Sequence, residues 1–227
     1  MFSRKRASAI AIGVAAIAVA GAAYGIVSAT SSGSAAPSTA TTTRVGSNAR
    51  SGPASGGASG KVGTVSASSF TLTTSAGQTV TIDEASSTKY QQGASSTSKS
   101  AITTGVPVLV LGTTSGTTIT ATQVIVQPTG GGSASSSAAG VVPFQRGAPS
   151  TSKQVGQIPS NYSQGSGTIV SGTTANKATE AALAAYPGGI VDRVVKLSNG
   201  EYEVHYIGVN WPHHIFVTTT FKVIGAN

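Results

Sequence analysis

Apolar and polar positions alternate with a period of two in two separate stretches of this chain, and that period is the signature of half-buried strands. The first stretch runs from Lys61 to Gln127, where Val62 and Val65, Phe70 and Leu72, and Val80 and Ile82 recur on short segments. Ser75-Ala76-Gly77 reads as a hairpin turn. After a polar crossing from Ala85 to Thr104, two more apolar runs, Val106 to Leu111 and Ile119 to Val126, flank a Ser115-Gly116 turn. Five or six strands of this length predict a small barrel or sandwich. The crossing lies where an OB-type barrel carries its helix or a long loop.

The second stretch, Thr174 to Val223, changes period. Ala175 to Tyr186 is rich in Ala and Leu, with Thr174 as its predicted N-cap, and Pro187-Gly188-Gly189 ends it, as Pro and Gly end helices. A β-branched run from Ile190 to Leu197 follows, then Ser198-Asn199-Gly200 as a turn, then an alternating segment from Glu201 to Val209. Asn210, Trp211 and Pro212 interrupt, and His214 to Val223 alternates again with Ile215, Val217, Phe221 and Val223 on one face. The pattern predicts one helix on a three-stranded antiparallel sheet.

The remaining length reads as anchor and tether. Arg4, Lys5 and Arg6 precede an uncharged run from Ala7 to Val27, whose 21 residues would span roughly 30 Å of hydrocarbon as a helix. Residues 1–29 are therefore expected to be a signal peptide or membrane anchor with the basic cluster inside the cell and the C-terminus outside. Val27-Ser28-Ala29 offers a cleavage site, and both fates stay open. Residues 30–60 carry the Ser, Thr, Ala, Gly and Pro of a solvated, disordered tether. Residues 128–171 read as a second flexible linker, of which part is expected to pack on a module, Phe144 and Tyr162 being among its few large side chains.

Composition narrows the function. Charged residues make up 9% of the 227 and aromatics 5%, with 29 Gly, so large apolar side chains suffice for two small cores and no more. The chain has no Cys, which removes disulfides and thiolate chemistry. Of the formal charge of +8, three positive charges lie in Arg4 to Arg6, leaving +5 scattered singly along the rest. Without a basic cluster or interleaved aromatics, nucleic acid is not an expected partner. A weak attraction to an anionic envelope polymer is.

No nucleophile elbow, zinc-peptidase helix or phosphate loop is present, and Glu201 and Glu203 lack a cleft that would separate their acidities, so catalysis is not expected. Asp83 and Glu84 read as solvated residues at a strand end. Glu201, Glu203 and His205 alternate onto one strand face with His213 and His214 near, a donor set that suits zinc or copper. Adjacent histidines on a strand point to opposite faces, however, and neither a metal nor a cofactor is expected. Trp211, on the interrupting loop, is either an exposed contact anchor or part of the core.

Two resemblances accompany these readings. Gly63-Thr64-Val65, Phe70-Thr71-Leu72, Thr79-Val80-Thr81-Ile82, Ser87-Thr88-Lys89, Gly105-Val106-Pro107-Val108 and Ala121-Thr122-Gln123-Val124 resemble an OB-like family of exported bacterial domains of unknown function. Ala181-Ala182-Leu183-Ala184-Ala185-Tyr186-Pro187-Gly188-Gly189, then Val191-Asp192-Arg193-Val194 and Asn199-Gly200-Glu201-Tyr202-Glu203-Val204-His205, resemble PepSY-like domains of exported proteins, with Gly208 to His214 departing from the usual polar turn. That resemblance implies binding or inhibition of an extracytoplasmic partner, a secreted peptidase among the possibilities. The expectation is an exported, non-catalytic protein of the cell membrane or envelope: an OB-like β module at 61–127 and a PepSY-like α+β module at 172–227, joined by disordered linkers. Trp211, His213, His214, Glu201, Glu203 and His205 are its expected partner-binding residues, and the partner is an extracytoplasmic protein or an envelope polymer. The alternative is a structural wall or membrane-surface protein without a dedicated ligand.

Overall fold

In the computed structural model, which describes residues 52–128 and 154–227, the first alternating stretch closes on itself. Strands β1 (Ala54–Val65), β2 (Ser69–Thr73), β3 (Thr79–Gln92), β5 (Pro107–Ser115) and β6 (Thr118–Val126) form a closed five-stranded barrel in the order β1-β2-β3-β6-β5-β1. The β3–β6 pair is parallel and the others are antiparallel. Inward positions fill the barrel with Val62, Phe70, Leu72, Val80, Ile82, Val108, Val110, Ile119 and Val124. This is consistent with the expected OB-like barrel.

The polar crossing holds no α-helix. It continues β3, forms the short strand β4 (Ser95–Ser96) against it, and makes one 3-10 turn at Lys99–Ala101. Lys99 fastens that turn to the barrel by an ion pair with Glu84 and a 2.7 Å hydrogen bond to the Ala67 carbonyl. The Tyr90 hydroxyl donates to Glu84 at 2.8 Å. Glu84 is thus a buried, partnered carboxylate rather than the solvated one its position suggested; burial and the Glu84 charge push the Tyr90 phenol up.

The C-terminal stretch departs further from its reading. Helix α1 (Gly172–Ala185) has Ser171, not Thr174, at its N-cap position, without a capping side-chain hydrogen bond, and it ends at Tyr186, whose N–H bonds the Ala182 carbonyl at 2.8 Å before Pro187 stops the ladder. Strands β9 (Ile190–Lys196) and β10 (Tyr202–Ile207) form the hairpin expected around Gly200. The run from His214 to Val223, expected to be one strand, is two: β11 (His214–Val217) and β12 (Val223–Ala226). Thr218 to Lys222 turns between them, with the Thr218 hydroxyl accepting from the N–H groups of Thr220 and Lys222 and Phe221 at a positive φ of 60°.

The three-stranded sheet is accordingly not what the chain builds. Residues assigned to the second linker add β7 (Val155–Gly156) to β12 and β8 (Thr168–Val170) to β9. Residues assigned to the first tether begin β1 at Ala54, and there Gly57 pairs with Val191 and Ala58 with Ile190. Barrel and C-terminal strands are therefore one continuous sheet, joined by backbone hydrogen bonding and not only by linkers.

Small side chains make this joint possible. The buried stripe of α1 is Ala175, Ala178, Thr179, Ala182, Leu183 and Ala185, mostly alanine, so the helix lies close to the strands beneath it. A Cβ on Gly57 would come within 3.2 Å of the Thr179 methyl and collide with the Val110 carbonyl; one on Gly56 would collide with the Val191 carbonyl. Strand β5 sends Val108 and Val110 into the barrel and Leu109 and Leu111 under α1, so both of its faces are buried. Ile190 likewise enters the barrel cluster while Val191 joins the helix cluster.

Three expectations lie outside the described residues: the membrane or signal segment at 1–29, the tether as far as residue 51, and the second linker from 129 to 153, with Phe144. Among the described residues no helix is long and apolar enough to cross a membrane.

Because Leu111 packs between α1 and the barrel wall, Leu111→Ala should lower stability by about 2–5 kcal/mol. The urea transition followed by far-UV circular dichroism and that followed by fluorescence of Trp211, the one tryptophan, should remain coincident. Separate transitions, with only one shifted, would show two independently folding modules.

Candidate functional site

Strands β9, β10 and β11 present their two faces differently. Tyr202, Val204, Tyr206, Val194, Ile215 and Val217 turn toward α1 and form the core. The opposite face carries Arg193, Glu203, His205 and His214, because residues two apart on a strand share a side and the register sets His205 across from both Arg193 and His214.

Four of these side chains and Asp192 form a linked polar cluster. His205 Nδ1 lies 2.6 Å from Asp192 Oδ1, and His214 Nδ1 lies 2.6 Å from Glu203 Oε1. The Arg193 guanidinium donates to Asp192 Oδ2 at 3.1 Å, while its Nε is sealed from solvent without a partner. The two imidazole rings stand edge to face with centroids 5.2 Å apart. Tyr162, from the segment assigned to the second linker, packs edge-on against Phe216 at 4.7 Å and against His214 at 5.6 Å. Asn161 donates to the Ser198 hydroxyl at 2.7 Å, fastening the same segment. Burial, and then the Glu203 charge, push the Tyr162 phenol up against the smaller opposing pull of Arg193.

The expected partner-binding residues are therefore only partly on an open surface. Glu203 is 3% exposed, and His205 and His214 are held by carboxylates. Glu201 lies just before β10, half-buried, and accepts from the Asn199 side chain at 2.6 Å. His213 is exposed, with its backbone N–H on the Asn227 carbonyl at 2.9 Å. Trp211 folds back: it is half-buried against the helix-side core, its ring perpendicular to that of Tyr186 at 5.6 Å. Tyr186 is fully buried and its phenol is pushed up to about 12 by that burial. The sequence reading missed Asp192 and Arg193 as site residues, although a charged pair inside the β-branched run from Ile190 to Leu197 was a visible anomaly.

Among the described residues neither imidazole has a hydroxyl nucleophile as hydrogen-bond partner. Among the described residues no group of three or more His, Asp or Glu side chains is arranged to hold a metal ion.

A second feature lies on the helix side. A cleft of about 580 Å³ opens between the barrel and α1, with Lys61, Pro107 and Leu109 on the barrel wall and Glu180, Leu183 and Ala184 on the helix wall. That volume falls within the range of roughly 300–1,000 Å³ typical of small-molecule sites, which favour such interfaces. Burial makes the Glu180 carboxyl a weaker acid, raising its pKa above the ordinary glutamate value, and the Lys177 charge offsets this in part.

No protein-family model, curated protein or solved structure matches the chain significantly.

Two outcomes follow from these placements. Trp211→Ala should cost about 2–3 kcal/mol in urea unfolding, since it strips a half-buried ring from Tyr186; an unchanged midpoint would leave Trp211 as a surface group. For Glu180, a raised folded-state value means that folding favours its protonated form. Its contribution is fully present below the ordinary glutamate range and is lost as pH rises through the raised value. Glu180→Gln should therefore leave the melting temperature nearly unchanged at about pH 4 and raise it at neutral pH. A variant less stable at neutral pH would assign Glu180 a stabilising partner instead.

Proposed function

We propose that this chain is a non-catalytic, envelope-associated binding protein, exported with its C-terminus outside, whose C-terminal half holds an extracytoplasmic partner. The observation that carries this reading is the cleft between the barrel and α1, largely apolar and carrying one half-buried carboxylate, Glu180. A cleft of that kind is where a partner's side chain or a short peptide gains apolar burial and one oriented polar contact. The barrel is read as OB-like on its strand order and its parallel β3–β6 pair, and the part from α1 onward as PepSY-like on the motifs around Pro187 and Gly200. A secreted peptidase is the partner class implied by that resemblance.

The cleft also moves the proposed contact. Glu203 is buried, His214 lies against Tyr162 and His205 is held by Asp192, so the partner is assigned to the barrel–helix seam and not to the polar sheet face. His213, exposed at the loop after Trp211, is the member of the sequence-derived set that remains open to direct contact.

Placing a photo-crosslinking residue at Ala184, on the cleft's rim, or at Ser86, an exposed position of β3 that does not line the cleft, tests the assignment in cells. A reproducible adduct with one extracytoplasmic protein from Ala184 and none from Ser86 is expected. Equal, scattered adducts from both positions would instead favour a structural envelope protein.

A further inference from the structure

The geometry points to a transition-metal site on the polar sheet face, in which His205 and His214 bind one divalent ion of the copper and zinc class through their Nε2 atoms. The inference does not depend on the cleft.

Three observations carry it. First, the two histidines are direct cross-strand partners on β10 and β11 with ring centroids 5.2 Å apart. Two imidazoles sharing a tetrahedral ion at Zn–N distances of about 2.0–2.1 Å have centroids about 5 Å apart. Edge-to-face ring packing allows that separation as well, so spacing alone does not decide. Second, each Nδ1 is engaged by its own carboxylate, Asp192 for His205 and Glu203 for His214, both at 2.6 Å. A carboxylate on one imidazole nitrogen fixes the tautomer, orients the ring and makes the other nitrogen a better ligand, which is the outer-shell arrangement of metal-binding histidines. Two such dyads side by side exceed what ring packing requires. Third, neither Nε2 has a hydrogen-bond partner among the described residues, and neither is among the buried atoms sealed from water. Their side chains keep 16% and 12% exposure, so an ion can reach them.

Charge agrees with this. With neutral imidazoles, Asp192 and Glu203 oppose the single guanidinium of Arg193, so the cluster is net negative and a dication does not meet an excess of like charge. Two imidazoles are the whole protein ligand set, and water completes the coordination. Imidazole nitrogens select copper and zinc over magnesium and calcium, which prefer oxygen.

Titrating the full-length protein with copper(II) sulfate or zinc chloride in a calorimeter tests this. One ion per chain is expected, with no binding of magnesium. His205→Gln and His214→Gln should each weaken binding at least tenfold and His213→Gln should not, while Asp192→Asn should weaken it about tenfold. Circular dichroism of each variant in chelator reports whether it folds. Should a histidine variant unfold, paramagnetic resonance of copper on the unaltered protein decides, with nitrogen hyperfine coupling from two imidazoles expected. No binding in molar excess of copper, binding unaffected by both histidine variants, or coupling to a single nitrogen would overturn the site.

Discussion

The two residue pairings of β1 with β9, Gly57 with Val191 and Ala58 with Ile190, hold the described structure in one piece. Strand β1 pairs with β5 from Ala54 to Lys61, with β2 at its C-terminal end and with β9 near its N-terminal end, so the barrel continues into the C-terminal sheet without an edge between them. That continuity requires near-bare backbone at Gly56 and Gly57, where a side chain would strike the Val191 and Val110 carbonyls. It also requires an alanine-faced helix above. Once these are in place, Leu109 and Leu111 on the outside of the barrel become the floor of the helix core, and Ile190 from the other half plugs the barrel. Separating the halves would expose both sets to water, at about 25 cal/mol for each Å² of apolar surface.

What was legible follows from which signals are local. The barrel strands, the hairpin turns at Gly77, Gly116 and Gly200, and the helix stop at Pro187 are each written within a few residues, and each is found. Strand β1 was hidden because its Ser, Gly and Ala residues have the composition of a tether; they are small because a helix and a second strand crowd them. A clue lay elsewhere, in Val108-Leu109-Val110-Leu111. A strand without alternation is buried on both faces, so something had to cover the outside of that barrel wall. The break between β11 and β12 was hidden for another reason: Thr and Phe score as strand residues, but the Thr218 hydroxyl caps a turn and Phe221 takes a left-handed backbone to stack on Tyr202 at 5.6 Å.

The candidate site shows the same division. Alternation placed Glu203 and His205 on one face, and the register adds His214 there. Alternation already argued against His213 and His214 acting as a pair, and the pairing that forms is the cross-strand one of His205 with His214, which needs the register to be seen. Tyr162 could not be placed from the chain alone, because its position depends on β7 and β8, two- and three-residue strands stabilised only by the partners they dock on. The buried Arg193, with one nitrogen unpartnered, is costly for stability. A costly polar group kept inside a β-branched run is better accounted for by a role on that face than by packing.

The cleft and the polar cluster occupy different faces of the C-terminal structure, with the helix-side core between them. No relay of side chains is needed for one to influence the other. If unfolding is cooperative across the β1–β9 joint, a ligand held at either place stabilises the same folded unit, by about 2.7 kcal/mol at a hundred times its dissociation constant. Occupancy of both adds in stability without any change in affinity at either. Altered affinity is a stronger condition: it requires that one ligand distinguish two arrangements of the protein. Strand β9 is the place where such arrangements could arise, since it carries Arg193 toward the polar face, Val194 toward the helix and Ile190 into the barrel.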